Sequence, residues 1–230
     1  MVSQLVLIET NQQIESFQQA AIRWFKEKGR VFPWRQTREP FKILVAEVLL
    51  KLTGAWKAES VYNRIVADYG VPERMAIANL EELRKAFEPL GLHGRASLLV
   101  EISKELQSHF NGEVPNTYLE LVSLKGIGHY IANAILCLAY GERVPLVDGS
   151  VSRIFCRCLG FSTNKPAYAD KELWDIAGRL LPESDFREYN LGLLDIGALL
   201  CKYRKPCCTE CPLARLCVAL SRGNNNSEAR

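Results

Sequence analysis

The sequence predicts an all-α protein, and three observations carry that prediction. Apolar residues recur at helical spacing in segment after segment, as in Ile14, Phe17, Ala21, Trp24 and Phe25. Nowhere does a period-2 run of useful length alternate apolar and polar side chains as a half-buried strand would. Glycine and proline stand at the ends of the periodic segments, as Gly29, Gly70 and Pro72 do. An apolar share of 48% and a charged share of 24% over 230 residues suit a soluble protein with one large domain or two small ones. No run of 18 apolar residues occurs, so no membrane span is expected, and Val2 to Ile8 is too short for a secretory signal. The net charge of +3 permits a nucleic-acid partner without demanding one.

Taken in order, Gln12 to Lys28 is an amphipathic helix that Gly29 stops. Phe32-Pro-Trp-Arg35 and the residues to Pro40 read as a proline-bounded loop, either a surface connector or, through Arg35, a DNA-facing one. Phe41 to Leu52 is a nearly all-apolar helix with one carboxylate, Glu47, which must be paired, desolvated or functional, since a bare buried charge costs several kcal/mol. Trp56 to Tyr69, Glu73 to Asn79 and Leu80 to Phe87 are three further helices. A tight break, Pro89-Leu-Gly-Leu-His-Gly-Arg-Ala96, precedes a long helix to Phe110. Ser150 to Leu159, Asp170 to Leu181 and Phe186 to Leu200 are helical, and Ser221 to Arg230 is expected to be a disordered tail.

Between Leu121 and Leu138 lie two helical patterns joined by Gly126-Ile127-Gly128, too tight a link for anything but a helical hairpin. Glycines there allow positive φ and close approach of another backbone. The second helix then offers its free N–H groups at the tip, an arrangement suited to a phosphate. Lys125 and His129 flank that turn, and Asp148 follows one short loop after the second helix, where it would also cap the helix beginning near Ser150.

Eight cysteines without a secretory signal point to metal or buried thiols in a reducing compartment. Cys201-x6-Cys208-x2-Cys211-x5-Cys217 places four thiols within seventeen residues, a set suited to a soft metal centre. A [4Fe–4S] cluster needs four thiolates, and a single zinc ion is the structural alternative, although such zinc sites usually show two short Cys pairs rather than one. Cys207 sits out of that spacing, and Cys137, Cys156 and Cys158 read as core thiols. Lys202, Arg204, Lys205 and Arg215 give the loop a basic rim, either merely solvated or in contact with phosphate.

These features together resemble the helix-hairpin-helix DNA glycosylase superfamily that includes endonuclease III and the thymine and adenine mismatch glycosylases. The resemblance is carried by the hairpin, by Asp148, by Glu47 in a Glu-x-x-Leu-x-x-Thr pattern ending at Thr53, and by the four cysteines. It covers about residues 30 to 220 and implies two helical lobes flanking an active-site cleft. One is a six-helix lobe over residues 36–140; the other joins residues 1–35 and 141–220 round an iron–sulfur loop held by Cys201, Cys208, Cys211 and Cys217. It implies double-stranded DNA containing a mismatch as partner, a cytoplasmic monomer, and DNA contacts at Lys125, Gly126, Ile127, Gly128, His129 and Arg35. Leu92 and His93 would wedge into the duplex where the base leaves. The same resemblance makes Asp148 the carboxylate that steadies a developing sugar cation and Glu47 the residue that meets the base. Tyr130 stands where lyase members carry a lysine, so the expectation is a glycosylase that uses water and does not cut the backbone efficiently. The favoured base is thymine or uracil opposite guanine; the alternative is adenine opposite guanine or its oxidised form. A non-catalytic DNA-binding protein would keep the hairpin and cysteines but would not need Asp148 or Glu47.

Overall fold

The computed structural model describes residues 10–51, 53–91 and 94–223, and among these there is no strand. The helices follow one another as α1 (Asn11–Lys28), α2 (Pro33–Gln36), α3 (Pro40–Leu50), α4 (Ala55–Tyr69), α5 (Pro72–Ala76), α6 (Leu80–Phe87) and α7 (Gly94–His109). After them come α8 (Tyr118–Ser123), α9 (His129–Ile135), α10 (Gly149–Leu159), α11 (Lys171–Arg179), α12 (Phe186–Leu199) and α13 (Val218–Ser221). Contacts divide the chain into two units, one made of Met1–Arg30 with Arg143–Arg230 and the other of Val31–Glu142. None of these helices is long and apolar enough to cross a membrane.

In the unit of Val31–Glu142, α3 is the central element. Phe41, Ile43, Leu44, Val45, Ala46, Val48 and Leu49 are all buried, so this helix is apolar on every side because neighbours cover every side. It packs on α4, α7 and α9. Each of these side chains larger than alanine contributes roughly 1.5–3 kcal/mol through burial. The helix ends at Leu50 rather than Leu52, since Lys51 already has an extended ψ of 110°. The stretch after Phe32 is no mere connector. Pro33 sets the first φ of a single helical turn, and both Phe32 and Trp34 are buried, stacked 4.7 Å apart with 7° between their planes. Trp34 in turn meets Tyr62 of α4 edge-on at 5.2 Å, which ties this turn to the α3 and α4 helices.

In the other unit, α1 and α12 lie in direct backbone contact. A Cβ at Gly192 would come within 2.6 Å of the Ala21 carbonyl oxygen, so no larger residue fits at that crossing. Phe17 on α1 fills the space beside it against Phe155 and Tyr189, each with ring centroids 6.3 Å away. Asp195 on α12 is wholly buried and accepts from the Arg30 side chain and its backbone N–H, each at 2.7 Å. Gly197, five residues further on, plays the part of Gly192 against α10: its Cβ would stand 2.6 Å from that of Ser150. Ser221 closes α13; the rest of the expected tail, from residue 224 onward, lies outside the described residues.

Candidate active site and cysteine cavity

Asp148 is positioned from both sides. Upstream, Asn190 on α12 clamps the approach: its Oδ1 accepts from Leu146 N at 3.1 Å and its Nδ2 donates to the Val144 carbonyl at 2.9 Å. Downstream, Arg153 fastens α10 to the end of α12, donating through Nε to the Cys201 carbonyl at 2.6 Å and through Nη2 to that of Gly197 at 2.9 Å. Asp148 is the N-cap of α10, its Oδ1 accepting from Ser150 N and Val151 N at 2.8 Å each. Two amide bonds, the helix dipole and nearby Arg153 all favour the carboxylate, but burial outweighs them and pushes its pKa above the ordinary value. Asp148 makes no ion pair among the described residues.

The hairpin joins α8 to α9. Gly126 adopts φ +77°, a left-handed conformation that only glycine takes without strain, and a Cβ there would strike Leu98 at 2.8 Å. Ile127 closes the turn by donating to the Leu124 carbonyl at 3.1 Å and buries its side chain. Gly128 is the N-cap of α9 with no side chain to satisfy the helix's first N–H groups, and the space where its Cβ would project is open. Lys125 pairs with Glu101 at 2.6 Å, which raises its pKa, and the pair is exposed. His129 lies 2.9 Å from the Tyr118 hydroxyl through Nδ1, and burial holds its pKa below the usual histidine value, favouring the neutral ring. Tyr130 follows it on α9, half-buried. Glu47 lies on α3, which packs against α9, and is only 6% exposed. Arg35 carries its guanidinium 5.4 Å above the Phe32 ring. Leu92 and His93 lie outside the described residues.

The four spaced cysteines line one largely apolar cavity beneath α10, together with Cys207 and Cys158. Cys158 was grouped with the core thiols by its helix pattern; it is indeed buried, yet it faces this cavity and hydrogen-bonds Cys217. That bond draws the Cys217 pKa down to about 6, while burial pushes Cys211 up to about 11. Arg157 stitches the loop to α10, donating to the Lys202 and Tyr203 carbonyls at 2.7 and 2.9 Å and approaching Cys201 Sγ at 3.6 Å. Among the described residues no three His, Cys, Asp or Glu side chains converge as they would round a single metal ion.

Several positioning residues escaped the sequence reading. Asn190, Arg153, Arg157 and the Arg30–Asp195 pair form by contacts between distant segments, and no local pattern announces them. Arg95 is another: it is buried at the start of α7, bonds the Leu49 carbonyl and donates to Thr53 Oγ1 at 2.9 Å. Its position directly after the Gly91–Gly94 break was the one available hint.

This capped aspartate one loop beyond a glycine hairpin places the chain in a recognisable class. Residues 45–179 match the HhH-GPD superfamily of base excision DNA repair proteins, and the chain belongs to that family. Among its relatives, the thymine-DNA glycosylase of Aeropyrum pernix is 37% identical over 89% of this chain and 94% of that protein. The thymine/uracil-DNA glycosylase of Pyrobaculum aerophilum is likewise 37% identical, over 88% and 90% respectively. The solved structure of a thermostable thymine-DNA glycosylase superposes with a TM-score of 0.86 at 32% identity, covering 92% of this chain and 98% of that one.

Proposed function

We propose that this protein is a DNA glycosylase that hydrolyses the N-glycosidic bond of a flipped-out thymine or uracil opposite guanine. The observation that carries the proposal is Asp148, a carboxylate fixed by two backbone amides, with Arg153 near enough to favour its charge but not paired with it. The choice of a pyrimidine rests on the names of the relatives, and the use of water on Tyr130.

Extrusion of the nucleotide costs a few kcal/mol, least at a mismatch. As the bond to the base lengthens, positive charge builds on the sugar. Asp148 steadies that charge and orients the attacking water. A carboxylate about 4 Å from a unit positive charge gains roughly 4 kcal/mol at an effective dielectric near 20, which corresponds to about a thousandfold in rate. Glu47 meets the departing pyrimidine from α3, and the glycine turn of Lys125 to His129 holds the phosphate backbone through its amides. Lys125 joins that contact by exchanging Glu101 for phosphate. The phenol of Tyr130 cannot form an imine with the sugar, so the strand is left intact at the abasic site.

Cys201, Cys208, Cys211 and Cys217 would hold a [4Fe–4S] cluster, which staples their loop to α10. Four thiols line this one cavity, as many as such a cluster needs, and their spacing holds a single short Cys pair where four-cysteine zinc sites usually have two. An absorbance band near 400 nm in purified protein, on the order expected for such clusters, checks this assignment.

The test of the whole reading is one assay of purified protein on labelled duplexes carrying G·T, G·U, G·A and oxidised-G·A pairs. Cleavage of the G·T and G·U strands only after hot alkali is the expected result. Excision confined to adenine, or a covalent adduct trapped by borohydride, would contradict it.

A further inference from the structure

All four tryptophans of the chain are described, and three are buried: Trp24 and Trp174 are 8% exposed and Trp34 is 4%. Trp56 differs, with 64% of its surface open. A single exposed apolar side chain is ordinary. This one stands at the end of a continuous row of rings. Tyr62 meets Trp34, Trp34 stacks on Phe32, and Phe32 meets Trp56 at 4.9 Å and 64°. The three inner rings are buried, so the outer indole is backed by fixed neighbours. Stacking on a rigid face loses less conformational freedom than stacking on a mobile one.

Cationic residues lie close along the chain. Arg35 lies over the Phe32 ring, and Lys51 and Lys57, both exposed, flank Trp56 in sequence, with Glu59 one turn further along α4. Trp56 is the second residue of α4, just after the loop of Thr53 and Gly54, and that loop is braced by Arg95 through Thr53 Oγ1 and the Leu49 carbonyl. Leu49 is two residues beyond Glu47 on α3, so the brace also fixes the end of the helix that carries Glu47. An aromatic face held rigid among lysines and arginine is how proteins grip unstacked bases without reading their edges.

We infer that Trp56 is a positioning residue that stacks on a nucleobase unstacked when the target nucleotide is extruded, and so favours the opened over the closed duplex. This rests on the glycosylase reading above. Stacking of this kind changes binding by about tenfold on removal of the ring.

The experiment compares wild type with Trp56→Leu and Trp56→Phe, each first checked for an unchanged thermal transition. Wild-type excision from a G·T duplex tests the glycosylase reading alone. With that activity present, Trp56→Leu is expected to bind the G·T duplex about tenfold more weakly while Trp56→Phe stays within about threefold. Both variants should bind a fully paired duplex as wild type does. Acrylamide should quench the one exposed indole in free wild type, and the G·T duplex should protect it. Equal losses in the leucine and phenylalanine variants, equal losses on paired and mismatched DNA, or quenching unaffected by DNA would each overturn the inference. In the last case, with excision intact, the indole would serve a different partner.

Discussion

Asp148 and Asp195 lie in the same unit, and both lose water on folding, yet they are satisfied in opposite ways. Asp195 is wholly enclosed and held by the Arg30 guanidinium, with Nη2 only 2.6 Å from its Oδ1. Asp148 is held by two neutral amides, and burial raises its pKa. The first arrangement cancels a charge in a close ion pair; the second positions a charge that Arg153 favours without pairing it. A carboxylate without a permanent ion pair stays able to answer a transient cation, the role proposed for Asp148 and closed to Asp195.

The largest expected effect breaks the comparison at Asp148. Asp148→Asn should lower single-turnover excision about a thousandfold. Asparagine caps a helix as well as aspartate does, so the fold should survive. Burial places the folded-state pKa of Asp148 above 3.8, so its ionised form costs stability above that value and the cost fades as pH falls toward it. The asparagine variant should therefore melt no lower than wild type at pH 7, which calorimetry would check. Arg30→Ala strikes the other aspartate. It should cost about 3 kcal/mol or more of stability, because it strands a buried charge, while excision per folded molecule stays near wild type. Denaturant unfolding and an active-site titration separate these two quantities. The smallest effect belongs to the hairpin: Lys125→Ala should weaken binding to paired and mismatched duplexes alike and reduce the salt dependence by about one charge.

Much of this molecule could be read from its residues. Helices such as α1 and α10 were legible because their apolar period is strong, α3 because it is one long apolar run, and the glycine turn because Gly126 sits where only glycine avoids both strain and the Leu98 side chain. Asp148 stood out by its place after the hairpin, and the cysteines by spacing. What holds them was not legible. Asn190 reaches back 44 residues to Leu146, and Arg153 reaches 48 residues forward to Cys201. Such contacts exist only once α10 and α12 have packed, and they leave no period or motif behind. The turn at Pro33–Gln36 reads as a loop because four residues are too few for periodicity, although Trp34 within it and Phe32 before it are part of the core. Cys158 shows the same limit from another side, since one helix face can serve both a core and a cavity lined by cysteines.

If an ionised Asp148 drives the reaction, the rate of single-turnover excision from a G·T duplex as a function of pH reports it most directly. The rate should fall on the acid side through an apparent pKa above 3.8, as the raised value of Asp148 requires, and that limb should vanish from the residual activity of Asp148→Asn. A wild-type rate that stays level through that window, or the same acid limb in the asparagine variant, would contradict it.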